Sequence, residues 1–177
     1  MTKRVKLGKS GRIILMDLNV ALSSNFRAST KGFADKEKGL SAFGGWIIGE
    51  GGEQYRQWMA ELLSDEYVIL MTARHKQYEQ LTLDALAAKC QWQPQAQCFR
   101  RPEWKEQPPH VVKQTYLDEI VLPEWGETMK ADGTPRYFAI DSNSSSRAMY
   151  KRNLIEARDA QRDDSKPWDS ILPMATV

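Results

Sequence analysis

Three runs of four or five apolar residues, each followed at once by a polar side chain, constrain the fold of this chain more than any other feature. They are Ile13–Met16, Tyr67–Met71 and Tyr137–Ile140. Continuous apolar runs of this length are typical of strands that are buried on both faces, as in a parallel sheet. No run is long enough to span a bilayer, so no membrane attachment is predicted.

The segments between these runs carry the three- and four-residue apolar spacing of amphipathic helices. A helix is predicted from Glu53, with Tyr55, Met59 and Leu63 on its apolar face. Further helices are predicted at Tyr78–Ala87, Val111–Val121 and Ala148–Ala157, and a short strand at Gln97–Phe99. This alternation predicts a three-layer, Rossmann-like α/β fold, with a parallel sheet between helices on both faces.

The length of 177 residues is that of one domain. We expect this domain to occupy residues 1–157. Residues 20–51 are rich in serine, glycine and lysine, and are predicted to form a loop or small insertion that covers the site after the first strand. Residues 158–177 mix charges with two prolines, and are predicted to wrap the surface or to be disordered.

Composition excludes several classes of function. The net charge of +2 is too small for a general polyanion binder. Two cysteines and two histidines do not readily build a structural zinc site, and Cys90 and Cys98 lack the C-x-x-C spacing of a redox or metal motif. Both are predicted to be free thiols in a reducing compartment, which places the chain in the cytoplasm.

Polar side chains with complementary chemistry follow the three apolar runs: Asp17, Thr72 and Asp141. Because the carboxyl ends of parallel strands meet at one edge of a sheet, we expect these side chains to converge, together with Lys113. An aspartate can attack phosphorus, while a hydroxyl and an ammonium group stabilise the phosphoryl oxygens. Two carboxylates also suit Mg²⁺. The set predicts Mg²⁺-dependent phosphoryl transfer.

Each of these residues also has a structural interpretation, which the sequence leaves open. Asp17 is of a type that commonly caps helices or forms turns, and Thr72 is also a suitable cap. Lys113, at a helix start, is of a type usually found solvated at the surface. The segment Asp141–Ser146 is also a good polar turn before a helix. The functional interpretation depends on the four residues occurring together and in this order.

These motifs resemble those of the haloacid dehalogenase-like superfamily. Its motifs are a strand ending in D-x-D, a strand ending in threonine or serine, a lysine, and a strand ending in acids. The similarity looks closest to the 3′-phosphatase domain of bacteriophage polynucleotide kinase/phosphatases, and covers roughly residues 11–155. The stretches that carry it are Val68–Arg74, Cys98–Arg101, Val111–Tyr116, and Ala139–Asp141 followed by Arg147–Tyr150.

The resemblance implies a role for each matching residue. Asp17 would be the nucleophile and a Mg²⁺ ligand, with the Asn19 carbonyl and Asp141 as further ligands. Thr72 and Lys113 would hold the phosphate. Arginines would face the rest of the substrate: Arg74, and one or more of Arg27, Arg100 and Arg101. The implied enzyme hydrolyses a nucleotide or a nucleic-acid 3′-phosphate through an aspartyl-phosphate, in the host cytoplasm if the chain is viral.

Two positions depart from the superfamily pattern. Asn19 stands where the phosphatases have the aspartate that acts as general acid and base, and Ser142 stands where close relatives have a second acid. Losing a general acid typically costs on the order of 10²–10⁴ in rate. Three outcomes stay open: a slow phosphatase, another chemistry of the superfamily, or a non-catalytic relative that binds a phosphorylated ligand or a protein. The oligomeric state is not determined.

Overall fold

The computed structural model describes residues 2–26 and 36–160, with the backbone alone over 36–41. Five parallel strands form one sheet in the order β3-β2-β1-β4-β5. The strands are β1 Ile13–Met16, β2 Tyr67–His75, β3 Ala96–Arg100, β4 Tyr137–Ile140 and β5 Glu156–Arg158. The predicted α/β class with a parallel sheet is confirmed.

Helices cover both faces of this sheet. They are α1 Lys36–Ile48, α2 Gln57–Leu63, α3 Glu79–Cys90, α4 Pro109–Tyr116, α5 Leu122–Trp125 and α6 Ser144–Arg152. A further helical turn, Leu117–Val121, joins α4 to α5. Within the described parts of the chain, every helix is too short or too polar to cross a membrane.

The core lies in two layers, because successive strand residues point to opposite faces of the sheet. Ile14 and Met16 of β1 pack with the apolar residues of α2 and α3, whereas Ile13 and Leu15 pack with those of α4 and α6. All four are buried. Burial of each such side chain stabilises the fold by roughly 1.5–3 kcal/mol. This double burial explains why the strand has no polar position.

The strand register sets which side chains meet at the carboxyl edge of the sheet. Met16 pairs with Leu70 on one side and with Ile140 on the other. The next residues along these strands, Asp17 and Asp141, therefore lie side by side. β2 continues past this level to His75, paired with β3 through an irregularity after Met71. Thr72 therefore lies within the strand, and not after it as the sequence predicted.

Several other elements differ from the sequence prediction. The helix predicted from Glu53 begins at Gln57, and Glu53 is buried in the preceding connection. The predicted insertion contains the helix α1. Residues 27–35 of that insertion and 161–177 of the predicted tail lie outside the described residues.

The last predicted helix, Ala148–Ala157, is wrong at both ends. The helix begins at Ser144, ends at Arg152, and is followed by β5. Leu154 adopts a positive φ of 62°, which breaks the helix, and the chain then pairs with β4. β5 has three residues, of which Ala157 alone is buried. Such a short edge strand carries no apolar run that would reveal it in the sequence.

Candidate active site

Asp17 and Asp141 form a buried carboxylate pair at the carboxyl edge of the sheet, and Lys113 of α4 lies between them. The Lys113 Nζ is 2.9 Å from Asp17 Oδ1 and 2.5 Å from Asp141 Oδ2. Lys113 is 1% exposed, so this ammonium group is a buried member of the cluster and not a solvated surface lysine. The structure thus brings together three of the predicted site residues. Lys113 is 96 residues from Asp17 and 28 residues from Asp141 along the chain.

Burial, and then the neighbouring Asp141 carboxylate, raises the pKa of Asp17 to about 7. Burial by itself lowers the pKa of Lys113, but the Asp141 and Asp17 carboxylates outweigh it and hold that pKa above its ordinary value. Lys113 therefore stays protonated. With both carboxylates ionised the cluster carries one excess negative charge, which favours a further cation in this buried place.

Ser142 connects this cluster to Asn19. The Ser142 Oγ lies 3.3 Å from Asp17 Oδ2 and 3.2 Å from the Asn19 carbonyl oxygen. Asp141 Oδ1 accepts a hydrogen bond from the backbone N–H of Asn143, at 2.8 Å. The chain turns sharply here, with Val20 in the left-handed region at φ 67°. Carboxylate, carbonyl and hydroxyl oxygens therefore lie close together where β1 ends and the following turn begins.

This oxygen set fits a small hard cation. Mg²⁺ uses one or two protein carboxylates and keeps several waters, and here Asp17 and Asp141 supply two. The part of the chain that the structure describes has no group of three or more Asp, Glu, His or Cys side chains that could hold a metal. A metal here would therefore also use neutral oxygens, those of Asn19 and Ser142. The predicted ligands Asp17, Asn19 and Asp141 all belong to this set.

Thr72 is fully buried in β2. Its Oγ1 accepts the backbone N–H of Arg74 at 3.0 Å, and its carbonyl oxygen accepts the Tyr116 hydroxyl at 2.8 Å. No described residue accepts the Thr72 hydroxyl proton. The contact of this hydroxyl with a phosphoryl oxygen stays a prediction.

Arg74, predicted to face the substrate, lies beneath the insertion with its guanidinium 1% exposed. It forms a two-pronged ion pair with Glu53, at 3.0 and 2.5 Å. Its Nη1 also donates to Thr82 Oγ1 and its Nη2 to Asn19 Oδ1, both at 3.0 Å. The Phe43 ring lies 5.1 Å from the guanidinium. Arg74 thus contacts Asn19 directly.

The other predicted substrate-binding arginines are placed differently from one another. Arg100 is buried, and its guanidinium donates to the carbonyl oxygens of Ala73, Trp104 and Gln107 at 2.6–2.8 Å. Arg101 is exposed and lies 5.0 Å from the Trp104 ring. Arg27 lies outside the described residues. Arg100 holds the loop after β3, whereas Arg101 is open to a ligand.

We therefore expect the two adjacent arginines to respond differently to substitution. Arg100→Met leaves three carbonyl oxygens without a charged donor, and should lower the free energy of unfolding by about 2 kcal/mol or more. Arg101→Met removes an exposed side chain and should change it by no more than about 0.5 kcal/mol. Urea denaturation of both variants measures the difference. Equal losses would contradict the structural assignment of Arg100.

Glu53 is a buried charged residue of this region that sequence reasoning did not identify. It is 0% exposed, and its carboxylate accepts from Ser23 Oγ at 2.7 Å and from the Tyr55 hydroxyl at 2.6 Å, besides Arg74. A lone glutamate after a glycine pair carries no signal of burial. Its partners lie on other elements, so folding alone reveals it.

The order of the strands in the sheet also points to the edge where Asp17 and Asp141 lie. Connections run from β1 outward to β2 and β3, and then return to β4 and β5 on the other side of β1. The order thus reverses between β1 and β4, the two strands that end at Asp17 and Asp141. Open α/β sheets bind their ligands in the crevice at such a switch point.

Solved structures share this fold. The chain is similar to a chain in a structure of the Pnkp1/Rnl/Hen1 RNA repair complex, with a TM-score of 0.55 and 18% identity, over 90% of this chain and 44% of that one. A chain in a second Pnkp1/Rnl/Hen1 structure has a TM-score of 0.56 and 17% identity, over 90% and 49%. The chain thus spans about half the length of either neighbour. No family model and no curated protein matches it.

Proposed function

We propose that this chain is a Mg²⁺-dependent phosphohydrolase of the haloacid dehalogenase-like superfamily, acting on a nucleotide or on the 3′-phosphate of a nucleic acid. The observation that carries the proposal is the buried Asp17–Lys113–Asp141 cluster at the switch point of a parallel sheet. Its fold neighbours belong to an RNA repair complex, which supports a nucleic-acid end as the substrate class.

In the proposed reaction Asp17 is the nucleophile. Its carboxylate oxygen forms a bond to phosphorus while the ester oxygen–phosphorus bond breaks, giving an aspartyl-phosphate and an alkoxide. Lys113 and the Thr72 hydroxyl stabilise the charge on the phosphoryl oxygens. Water then attacks phosphorus, releasing inorganic phosphate and restoring the Asp17 carboxylate. Mg²⁺, held by Asp17, Asp141 and the Asn19 carbonyl, would neutralise phosphate charge.

The leaving alkoxide needs a proton that Asn19 does not supply, since an amide neither gives nor takes a proton at neutral pH. The proton comes from water or from a group of the substrate itself. A substrate whose leaving group is already acidic depends less on this proton. We therefore expect slow turnover of alkyl phosphates and faster turnover of aryl phosphates.

A substrate panel tests the proposal. With Mg²⁺ present, we expect release of inorganic phosphate from 3′-phosphorylated oligonucleotides and from an activated aryl phosphate, with less from 5′-phosphorylated oligonucleotides. Chelation by EDTA should abolish the release, because it removes the cation that offsets the buried carboxylates. No release from any member of the panel would refute the proposed activity.

A second candidate is a binding or regulatory protein on an impaired phosphatase scaffold. It is favoured by the Asn19 amide and the Ser142 hydroxyl, which stand where acids are expected. In the variant Asn19→Asp, Ser142→Asp both acids are restored, and an impaired scaffold should gain about 10²-fold or more in turnover. Turnover at ordinary enzyme rates by the unmodified chain would eliminate this candidate. Single substitutions serve as controls for the contribution of each acid.

A further inference from the structure

We propose that the buried Glu53–Arg74 pair is a positioning device that fixes the side-chain amide of Asn19 with its Nδ2 donors turned toward the Asp17–Lys113–Asp141 cluster. Asn19 would then bind a phosphoryl oxygen as a hydrogen-bond donor. The inference deepens the proposed function, because it states what the residue at the general-acid position does instead, and its phosphate-binding half rests on that function.

The two ends of the Asn19 side-chain amide differ in their hydrogen bonding. Oδ1 is an acceptor and Nδ2 carries two donors, whereas the Arg74 guanidinium has donors alone. Arg74 Nη2 lies 3.0 Å from Asn19 Oδ1. Turning the amide over would set donor against donor at that distance. Arg74 therefore selects one of the two amide orientations, in which Nδ2 points away from it.

Arg74 can do this because it is itself immobilised. Glu53 binds both terminal nitrogens, and Thr82 accepts a further bond from Nη1. Two parallel charge-assisted bonds give geometric specificity that a single bond does not. Glu53 is fixed in turn by hydroxyl donors from Ser23 and Tyr55, on the two sides of the base of the insertion. The orientation of Asn19 is thus connected to the seating of the insertion.

The other end of the amide is open. No described residue accepts from Asn19 Nδ2, and Asn19 is only partly buried while Arg74 and Glu53 are fully buried. The backbone carbonyl of Asn19 already lies beside Ser142, next to Asp17. An aspartate held by Arg74 in the same way would present an acceptor oxygen that repels phosphate unless protonated. The amide presents donors, which suit an oxyanion.

The first test is made on the ligand-free chain. We expect the Asn19 side-chain amide to be rigid, with a ¹⁵N order parameter of about 0.8, and we expect this order parameter to fall below about 0.6 in Glu53→Gln. Glu66→Gln is the matched control, because Glu66 is also buried but bonds Ser10 and not Arg74. Should Glu53→Gln fail to fold, Arg74→Lys removes the guanidinium fork and keeps the charge. An amide that stays rigid in both variants would overturn the proposal.

The second test measures binding of inorganic phosphate in the presence of Mg²⁺. We expect Asn19→Ala and Glu53→Gln each to weaken binding about tenfold or more, as for loss of a hydrogen bond to a charged group. The double variant should bind phosphate no more weakly than Asn19→Ala alone, because Glu53 acts through Asn19. If Glu53 had a merely structural role, the two losses of affinity would multiply in the double variant, and this result would refute the inference. A wild-type chain that binds no phosphate would overturn the proposed function, while the order parameters separately decide whether Glu53 and Arg74 immobilise the Asn19 amide.

Discussion

Replacing Asp17 with asparagine is expected to lower kcat/KM for phosphate-monoester hydrolysis on the order of 10⁴-fold or more, the scale seen when a covalent nucleophile is lost. The amide cannot attack phosphorus, and it also removes one of the two charges that would hold Mg²⁺. The substitution is nearly isosteric, and Lys113 keeps its ion pair with Asp141. Phosphate release from the best substrate of the panel is the measurement.

The matched control is Asp84→Asn, the same chemical change at an exposed position of α3. It should retain full activity. Thermal unfolding of both variants shows whether lost activity reflects lost structure. An Asp17→Asn protein that is folded and still active would exclude Asp17 as the nucleophile, and with it the aspartyl-phosphate route.

Replacing Lys113 with methionine is expected to lower the free energy of unfolding by about 3–5 kcal/mol near pH 8, because it leaves two buried carboxylates without their counter-ion. Methionine fills a similar volume, so the loss reflects charge and not a cavity. Urea denaturation measures it. Lys151→Met, an exposed lysine of α6, should change the free energy of unfolding by less than about 0.5 kcal/mol.

The pH dependence of this variant provides an independent check. Lys113 lowers the pKa of Asp17, which burial and then Asp141 have raised to about 7, so its removal raises that pKa further. When a carboxyl group has a higher pKa in the folded state than in the unfolded state, the free energy of unfolding falls as the pH rises from about 4 toward the folded-state pKa. The Lys113→Met protein should therefore be less destabilised at pH 5 than at pH 8. An equal loss at both pH values would contradict this account.

The strands that sequence reasoning placed best are those with no polar position. β1 and β4 have the predicted bounds, Ile13–Met16 and Tyr137–Ile140, because a strand buried on both faces must be apolar throughout. The extension of β2 through His75 and the edge strand β5 were missed. In both, pairing with a neighbouring strand, and not an apolar pattern, holds the backbone extended.

In the candidate site, too, some features could be predicted from the sequence and others could not. Local patterns alone predicted that Asp17 and Asp141 end buried strands of one parallel sheet, and therefore that both carboxylates lie at the same edge of it. The folded structure shows that these two strands are neighbours. The partners of the arginines could not be predicted in this way. Arg74 is paired with Glu53, 21 residues away, and Arg100 is occupied by backbone carbonyls of the following loop.

Apolar periodicity and strand-end polarity are local properties of the chain, so they specify the sheet, its layers and the edge where the candidate site lies. Charge state and orientation are properties of the assembled interior. Folding brings Lys113 between two desolvated carboxylates, and sets Glu53 and Arg74 against Asn19. Such contacts join residues that are far apart along the chain, and their strength depends on the exclusion of water, which no local pattern records.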